Sequence, residues 1–220
     1  MRPINEVLAD LENNIADTML KWQREPDEFM RDVLRMEPQR WQIRLMKAVS
    51  NARFGLPNDG DECKNRIAIK SGTGVGKTAG VSGLILWHIA VFPDSKIPCT
   101  APTSPQIKAV LWPELRKWVQ NIPPELREWF PFDVQTDKVV IHENFAVART
   151  AREESPESFQ GFHAKNIMLI ADEASGVPDA VFLAGQGVMS EDGAITILIG
   201  NPTRPVGWFF DAFHGDSAKY

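Results

Sequence analysis

Apolar residues recur every three or four positions over the first quarter of the chain, which is the spacing of helices. Over residues 4–22 this pattern predicts an amphipathic helix that packs on its own domain or on a neighbouring subunit. The apolar stripe consists of Ile4, Val7, Leu8, Leu11, Ile15, Met19 and Trp22. Pro26 breaks the pattern, Asp27 is placed to cap a second helix, and a third helical pattern runs to about Phe54.

From residue 66 onwards, short apolar runs alternate with helical patterns. This alternation predicts an α/β fold with a central, mainly parallel sheet flanked by helices. Two β-rich runs separated by Glu143 and Asn144 predict an antiparallel hairpin beside that sheet. We therefore divide the chain into an N-terminal helical segment, residues 1–55, and an α/β core, residues 56–220. The predicted strands cover residues 66–69, 96–100, 138–142, 145–150, 166–171 and 194–199.

The composition is that of an ordinary globular protein, with 43% hydrophobic and 24% charged residues among 220. The net charge of −5 argues against a protein coated in nucleic acid, although a local basic strip is compatible with it. The apolar run of residues 83–92 contains His88 and is too short to span a membrane, so we expect no membrane partner. Cys63 and Cys99 lack the spacing of a metal site and indicate a reducing, cytoplasmic setting.

A glycine-rich turn joins the first predicted strand to the helix that follows it. Glycines let the backbone turn tightly and point its N–H groups at phosphate oxygens, and the helix N-terminus adds partial positive charge. In such a P-loop Lys77 reaches the β- and γ-phosphates of a nucleotide, and the Thr78 hydroxyl binds Mg²⁺. The alternative is a chance Gly-Lys-Thr in an ordinary turn, which the flanking strand and helix disfavour. The predicted nucleotide-binding residues are Ser71, which replaces the consensus glycine, Gly72, Thr73, Gly74, Val75, Gly76, Lys77 and Thr78.

Upstream of this loop, Pro38 is followed by Trp41 and Gln42. A glutamine amide carries both a donor and an acceptor, which suits a bidentate contact with the edge of an adenine ring. Several helicase-like ATPases read adenine with a similar Pro-x-x-Trp-Gln segment. We therefore assign Trp41 and Gln42 to adenine binding. The alternative interpretation is a solvated glutamine in the first turn of a helix, beside a core tryptophan.

Two later strands end in polar side chains. Asp172 and Glu173 follow a buried strand, and the carboxyl end of a parallel strand faces the ligand crevice. There Asp172 can hold Mg²⁺, and Glu173 can deprotonate the attacking water. Asn201 ends the last predicted strand and is the candidate sensor of the γ-phosphate, the alternative being an Asn-Pro turn that closes a strand. Together these residues predict an ATPase that uses ATP and Mg²⁺.

The ordered set of these elements resembles the ATPase domain of a large terminase, the DNA-packaging motor of tailed bacteriophages. The resemblance extends from about residue 27 to the end and includes residues 154–162, before the Asp-Glu strand. It implies a P-loop fold of the RecA-like (ASCE) type and ATP hydrolysis that moves double-stranded DNA. Gln160 stands where many relatives have an arginine, so the identity of the arginine finger is open. Arg149 and Arg152 are the candidates, acting in cis or across a subunit boundary, and the alternative is that they are surface arginines.

The resemblance also implies partners and a location. Large terminases form rings, generally pentamers, on the portal vertex of a procapsid in the cytoplasm of the bacterial host, and they work with a small terminase subunit. Their second domain is a nuclease, for which 220 residues leave no room, so we expect none here. Two other functions remain open: a nucleotide-dependent docking module with weak turnover, and a helicase-like ATPase, which would need a second RecA-like domain.

Overall fold

The computed structural model describes residues 1–58, 63–149, 162–189 and 193–215. Within these ranges seven strands form a single sheet, in the order β1-β7-β6-β2-β5-β4-β3 once numbered along the chain. The strands are β1 (Arg66–Lys70), β2 (Ser95–Thr100), β3 (Asp133–Val134), β4 (Lys138–Ile141), β5 (Asn144–Ala148), β6 (Asn166–Asp172) and β7 (Ile195–Gly200).

The sheet is parallel from β1 through β7, β6 and β2 to β5, and antiparallel from β5 through β4 to β3. This arrangement confirms the predicted α/β fold with a mainly parallel sheet and an antiparallel hairpin. The hairpin strands are shorter than predicted, because β4 ends at Ile141 and β5 at Ala148. Strand β3 was not predicted, since two residues are too few to show an alternating pattern.

Helices cover the sheet, and the shortest are single turns. No helix among the described residues is both long and apolar enough to cross a bilayer. A π-helical turn spans Ile107–Leu111, and 3-10 turns occur at Pro124–Leu126 and Ala174–Gly176. The α-helices are α1 (Ile4–Arg24), α2 (Pro26–Asp32), α3 (Arg40–Arg53), α4 (Lys77–Val91), α5 (Ser104–Gln106), α6 (Trp112–Gln120), α7 (Asp179–Met189) and α8 (Trp208–Asp211).

Helix α4 is the centre of the larger hydrophobic core. Its residues are apolar on all sides, so the face that points away from the sheet needs a cover, which α1, α2 and α6 provide. A side chain at Gly83 would come within 2.8 Å of Met30 Sδ, so α2 and α4 pack with little space between them. The Trp87 indole donates to the carbonyl of Trp22, 2.7 Å away, which ties α4 to α1. The N-terminal helices therefore share one core with the sheet.

Helix α1 is interrupted at Asn14, where the sequence pattern predicts a continuous helix. The backbone of Asn14 is non-helical (φ −156°, ψ 81°), and its side-chain oxygen accepts the N–H of Asp17 at 3.2 Å. Asn14 thus caps the second half of the helix, which is a common role for asparagine. Ile15, which the pattern assigns to the apolar stripe, follows the break and is 47% exposed in the single chain.

The π-helical turn ends two residues before Pro113. The N–H of Trp112 donates to the carbonyl of Ile107, five residues earlier. In a regular α-helix the ring of Pro113 would collide with the carbonyl of Ala109, and the wider turn relieves that contact. Trp112 remains buried in the core at 1% exposure, so the irregular turn preserves its packing.

A polar network around the buried His88 lies at the edge of the sheet opposite the glycine-rich turn. Arg53 donates to the carbonyls of Gly193 and Ile167, both at 2.6 Å, and to His88 Nε2 at 2.9 Å. Because an arginine side chain can only donate, His88 is neutral and carries its proton on Nδ1, 2.7 Å from the Ser95 hydroxyl. Burial lowers the pKa of Arg53 to about 10. The network joins α3, α4, β2, β6 and the approach to β7.

Acidification should destabilise the protein through His88. Burial and the positive charge of Arg53 lower the pKa of His88 well below 6.5, whereas the unfolded chain takes up a proton near pH 6.5. The folded protein keeps His88 neutral, and its contribution to the free energy of unfolding is therefore fully present above about pH 6.5. Below it, the contribution is lost at up to about 1.4 kcal/mol per pH unit. Urea unfolding at about pH 7.5 and about pH 5.5 measures the loss.

His88→Gln is the matched control, since a glutamine amide can both accept from Arg53 and donate to Ser95 but does not titrate. We expect this variant to lose less stability between the two pH values than the wild type. An equal loss in both proteins would show that another group causes the acid sensitivity.

Candidate active site

The glycine-rich turn exposes its backbone and buries its lysine. Gly74 and Gly76 have φ values of 79° and 80°, which residues other than glycine adopt only with strain. Residues 72–75 are exposed. Lys77 is the first residue of α4; its side chain is 9% exposed, and its Nζ donates to the carbonyl of Gly72 at 3.1 Å. The open backbone and the N-terminus of α4 therefore meet at one place, which suits an anion.

Ser71 replaces the consensus glycine without backbone strain. Its φ is not positive, and its N–H donates to the carbonyl of Gly200 at 3.1 Å, which extends the pairing of β1 with β7 by one residue. Its hydroxyl oxygen is buried with no hydrogen-bond partner among the described residues. The consensus glycine is therefore not required for the path that this loop follows.

The strand order brings the predicted site residues together. Strand β7 pairs with β1 on one side and with β6 on the other, and the register places Lys70 opposite Gly200 and Asp172 opposite Ile199. The three strands are parallel, so their carboxyl ends meet at one edge of the sheet. Lys77 Nζ lies 3.5 Å from Glu173 Oε1 at that edge.

Two adjacent carboxylates face the single ammonium group of Lys77. Asp172 is 8% exposed. Burial, and then the negative charge of Glu173, raise the pKa of Asp172 to about 6, while the N–H of Glu173, 3.0 Å away, and Lys77 act in the opposite direction. With both carboxylates ionised, the corner carries more negative than positive charge. That balance and the oxygen donors suit a divalent cation such as Mg²⁺.

Glu173 has an unusual backbone conformation. Its φ of 48° and ψ of 45° lie in the left-handed region, which costs a residue other than glycine about 1 kcal/mol or more. A side chain at Gly200 would approach the backbone nitrogen of Ala174 to 2.9 Å and the Glu173 carbonyl carbon to 3.2 Å. The end of β7 therefore fits closely against the turn that orients Glu173, and only glycine leaves room for it.

The structure places two other predicted residues at the same edge. Thr78 is half-buried in the first turn of α4, and Asn201 is half-buried directly after β7. The structure thus brings Lys77, Thr78, Asp172, Glu173 and Asn201 to one side of the sheet. Their assigned roles stay predictions.

Arg149 follows β5 and lies further away. Strand β2 separates β5 from β6, a distance of about 10 Å between strand axes. The Arg149 guanidinium donates to the carbonyl of Ala148 at 3.4 Å and lies over the ring of Phe162, 5.8 Å from its centroid. Arg152, the other candidate finger, lies outside the described residues. So does most of segment 154–162, which is part of the resemblance to large terminases.

Trp41 and Gln42 contact the glycine-rich turn directly. The Trp41 indole donates to the carbonyl of Val75 at 3.1 Å, and the Gln42 amide donates to the carbonyl of Gly76 at 2.9 Å. Gln42 is 3% exposed, and its oxygen accepts the N–H of Gln39 at 2.7 Å. Binding of an adenine edge by Gln42 would require an exchange of these two hydrogen bonds, so its predicted contact with the base stays a prediction.

Sequence reasoning missed this contact between the N-terminal segment and the loop. Gln39 and Gln42 form a capping box at the start of α3, in which each side chain accepts a backbone N–H of the other. Gln39 also accepts from the Trp41 indole at 3.0 Å. The three-residue spacing of Gln39 and Gln42 before an apolar pattern was a signal for this cap. The hydrogen bonds to Val75 and Gly76 join distant parts of the chain, which no local pattern reveals.

Comparison with known proteins supports the resemblance to large terminases that the sequence motifs indicate. No model of a known protein family matches the chain. A protein of Enterobacteria phage P7, described as a probable terminase large subunit, is 28% identical over 155 residues, which are 67% of this chain and 31% of that protein. This chain therefore spans about a third of the length of that relative.

Solved structures of large terminases share the fold. The ATPase domain of the Thermus phage P74-26 large terminase superposes with a TM-score of 0.64 at 19% identity, covering 86% of this chain and 74% of that one. The bacteriophage HK97 large terminase gives 0.60 at 16% identity, over 84% and 37% of the two chains. The large terminase of the thermophilic bacteriophage D6E, in complex with ADP, gives 0.56 at 17% identity, over 80% and 42%. The resemblance to large terminases and the P-loop fold are thereby confirmed.

Loss of the Gln42 side chain should weaken the protein in the absence of nucleotide. Gln42→Ala leaves the carbonyl of Gly76 and the N–H of Gln39 without their partners, at an expected cost of about 1–3 kcal/mol in the free energy of unfolding. Urea denaturation without nucleotide measures this cost. Gln120→Ala, which truncates an exposed glutamine at the end of α6, is the control and should cost far less. Equal effects would contradict a bracing role for Gln42.

Proposed function

We propose that this chain, which shares its fold with the ATPase domains of large terminases, hydrolyses ATP with Mg²⁺ and thereby drives double-stranded DNA into a procapsid. The observation that carries the proposal is the 3.5 Å separation of Lys77 Nζ and Glu173 Oε1 beside the glycine-rich turn. A phosphate-binding lysine and a general base have to share one triphosphate, and these two groups are close enough to do so. A structure of a relative with bound ADP, that of the D6E large terminase, supports nucleotide binding.

The residues of the turn have distinct roles in the proposed reaction. The exposed backbone of residues 72–75 and the ammonium group of Lys77 hold the β- and γ-phosphates. Thr78 and Asp172 would hold Mg²⁺, which neutralises charge on the phosphate oxygens when it is bound. To reach a phosphate, Lys77 exchanges its contacts with Gly72 and Glu173 for phosphate oxygens, and that exchange frees Glu173 to act on water.

In the proposed reaction a base activates the attacking water, and a second residue detects the state of the γ-phosphate. Glu173 takes a proton from a water molecule, whose oxygen attacks the γ-phosphorus as the bond to the β–γ bridging oxygen breaks. The products are ADP and inorganic phosphate. We assign to Asn201, at the neighbouring strand end, the role of detecting the loss of the γ-phosphate and passing that change to the segment that follows it.

The base of the nucleotide is assigned to the side of the loop held by α3. Trp41 lines a groove of about 590 Å³ along β1, together with Arg44 and Phe213. Gln42, the next residue along α3, donates a hydrogen bond to the carbonyl of Gly76. We propose that adenine binds against Trp41, and that Gln42 supports the loop and contacts the base only after exchanging its present partners.

The larger assembly follows from the same resemblance. We propose double-stranded DNA, the portal of the procapsid and a small terminase subunit as partners, with a ring of subunits, generally five, as the working state. The location would be the cytoplasm of a bacterial host, with transient attachment to the portal vertex. What supports this is the similarity to a probable terminase large subunit of phage P7 and to the large terminase ATPase domain of Thermus phage P74-26.

One observation favours a second candidate, a docking module with weak turnover in the isolated chain. The Arg149 guanidinium lies on Phe162 and Ala148, two strands away from β6. An arginine finger supplied by a neighbouring subunit would leave a single chain able to bind ATP but slow to hydrolyse it. A helicase-like function would need a second RecA-like domain, and no observation favours it.

Substitutions of Glu173 and Lys77 should separate turnover from binding. Glu173→Gln removes the base and should lower kcat by about 10²–10⁴-fold while ATP still binds. Lys77→Ala should weaken ATP binding by at least tenfold. The exposed carboxylate of Glu143, in the turn between β4 and β5, provides the control Glu143→Gln, which should leave both quantities unchanged. Undiminished turnover in Glu173→Gln, or undiminished affinity in Lys77→Ala, would contradict the proposed chemistry.

Mixing two inactive variants should show whether the finger acts across a subunit boundary. Arg149→Ala and Arg152→Ala are each mixed with Glu173→Gln under conditions in which the chains assemble. If a finger acts in trans, some interfaces in the mixture combine an intact arginine with an intact Glu173, and ATPase activity should exceed that of either variant alone. A finger in cis would give no such recovery, and activity equal to wild type in both arginine variants would remove both candidates.

A further inference from the structure

The hydroxyl group of Ser175 joins the two loops that leave the active-site edge. Ser175 lies in the 3-10 turn Ala174–Gly176, two residues after Glu173, and is 8% exposed. Its oxygen accepts the backbone N–H groups of Thr203 and Arg204, each at 3.1 Å. The Thr203 hydroxyl oxygen also lies 3.1 Å away. One buried side chain therefore holds two consecutive amides of the loop after β7.

Ser175 and Thr203 occupy equivalent positions after the two strands. Ser175 follows the proposed base Glu173 by two residues, and Thr203 follows the proposed sensor Asn201 by two residues. Residues 201–204 form no regular secondary structure, and residues 202–204 are exposed. The Ser175 oxygen thus supplies partners for amides that have none in a helix or strand.

The turn that carries Ser175 is itself closely packed. Gly200 fits against the backbone of Glu173 and Ala174, and a side chain at Gly176 would approach Pro102 Cγ to 2.7 Å. A change in the backbone conformation of Glu173 therefore cannot be accommodated by movement within the turn alone. It would instead move Ser175, and with it the amides of Thr203 and Arg204.

Beyond the hydroxyl, the two segments separate. A cavity of about 430 Å³ lies between the turn and the loop and is lined by Pro178, Arg204 and Trp208 among others. The segments meet again where the N–H of Trp208 donates to Asp179 at 3.2 Å. Between these two points, Val206 is 70% exposed. The loop consequently has space to shift when the contact at Ser175 shifts.

We propose that Ser175 is a positioning residue that transmits the nucleotide-dependent state of the Glu173 turn to the exposed loop of residues 202–206. This inference rests on the proposed ATPase function and deepens it, since it names the link between the site and a surface that can act on a partner. The Ser175 hydroxyl takes no part in the chemistry of hydrolysis. It determines whether the loop responds to that chemistry.

A fluorescent label in the loop tests this link. In a Cys63→Ser background, which removes the exposed native thiol, Val206→Cys carries an environment-sensitive dye, and Cys99 remains buried. Emission is compared with ATPγS and with ADP, each with Mg²⁺, in three proteins that have Ser175, Ser175→Ala or Ser175→Thr. The affinity of each protein for ATPγS is measured separately by filter binding of the radiolabelled nucleotide.

With Ser175, emission should differ between the two nucleotides. Ser175→Ala should reduce that difference at least threefold while its ATPγS affinity stays within twofold, and Ser175→Thr, which keeps a hydroxyl group, should recover most of it. In steady-state hydrolysis Ser175→Ala should lower kcat without raising KM. A merely structural role would instead lower the urea midpoint and the nucleotide affinity together.

A full emission difference in Ser175→Ala, no difference in the parent with Ser175, or loss in the alanine and threonine variants alike would each overturn the inference. If the parent protein fails to bind ATPγS, the proposed ATPase function is contradicted first, and the inference falls with it. Because affinity and emission are measured separately, the two failures are distinguishable.

Discussion

The placement of β7 between β1 and β6 is the constraint on which the site depends. All six residues of β7 are buried, so the strand is held by apolar packing on both faces of the sheet. Ile195, Ile197 and Ile199 belong to the larger core, and Leu198 belongs to the smaller one. The strand is therefore fixed in position and register. Its neighbours deliver the glycine-rich turn and the acidic pair at the same edge, and no contact between those polar groups is needed to bring them there.

The apolar character of α4 explains why the N-terminal helices contribute to the proposed nucleotide site. A helix that is apolar on all sides has to be covered on all sides, and α1 and α2 cover the face that the sheet leaves open. Helix α3 follows them and begins beside the turn at residues 71–76. Trp41 and Gln42 consequently bind carbonyl groups of that turn. Core packing and the geometry of the loop are thus parts of one arrangement, and the adenine-binding assignment depends on both.

Much of this arrangement is predictable from sequence, because it rests on local patterns. The strands that end at Lys70, Asp172 and Gly200 are short apolar runs, and the glycine-rich turn has a recognisable spacing. Other features depend on contacts between distant residues. Arg53 is an ordinary last-turn arginine in the sequence, yet it is half-buried and donates to His88 and two carbonyl groups. The break at Asn14 also escaped prediction, since its cap competes with an otherwise regular apolar stripe.

Departures from local preference coincide with the proposed site, and their cost has a physical explanation. Glu173 adopts a left-handed conformation that few residues other than glycine adopt, at the point where β6 ends. The close approach of Gly200 and the hydrogen bonds received by Ser175 stabilise the turn in which this conformation occurs. A relaxed, extended Glu173 would continue the direction of β6. The left-handed residue instead turns the chain at the edge of the proposed active site, where the Glu173 carboxylate lies beside Lys77, so the strain serves the geometry that the proposed chemistry requires.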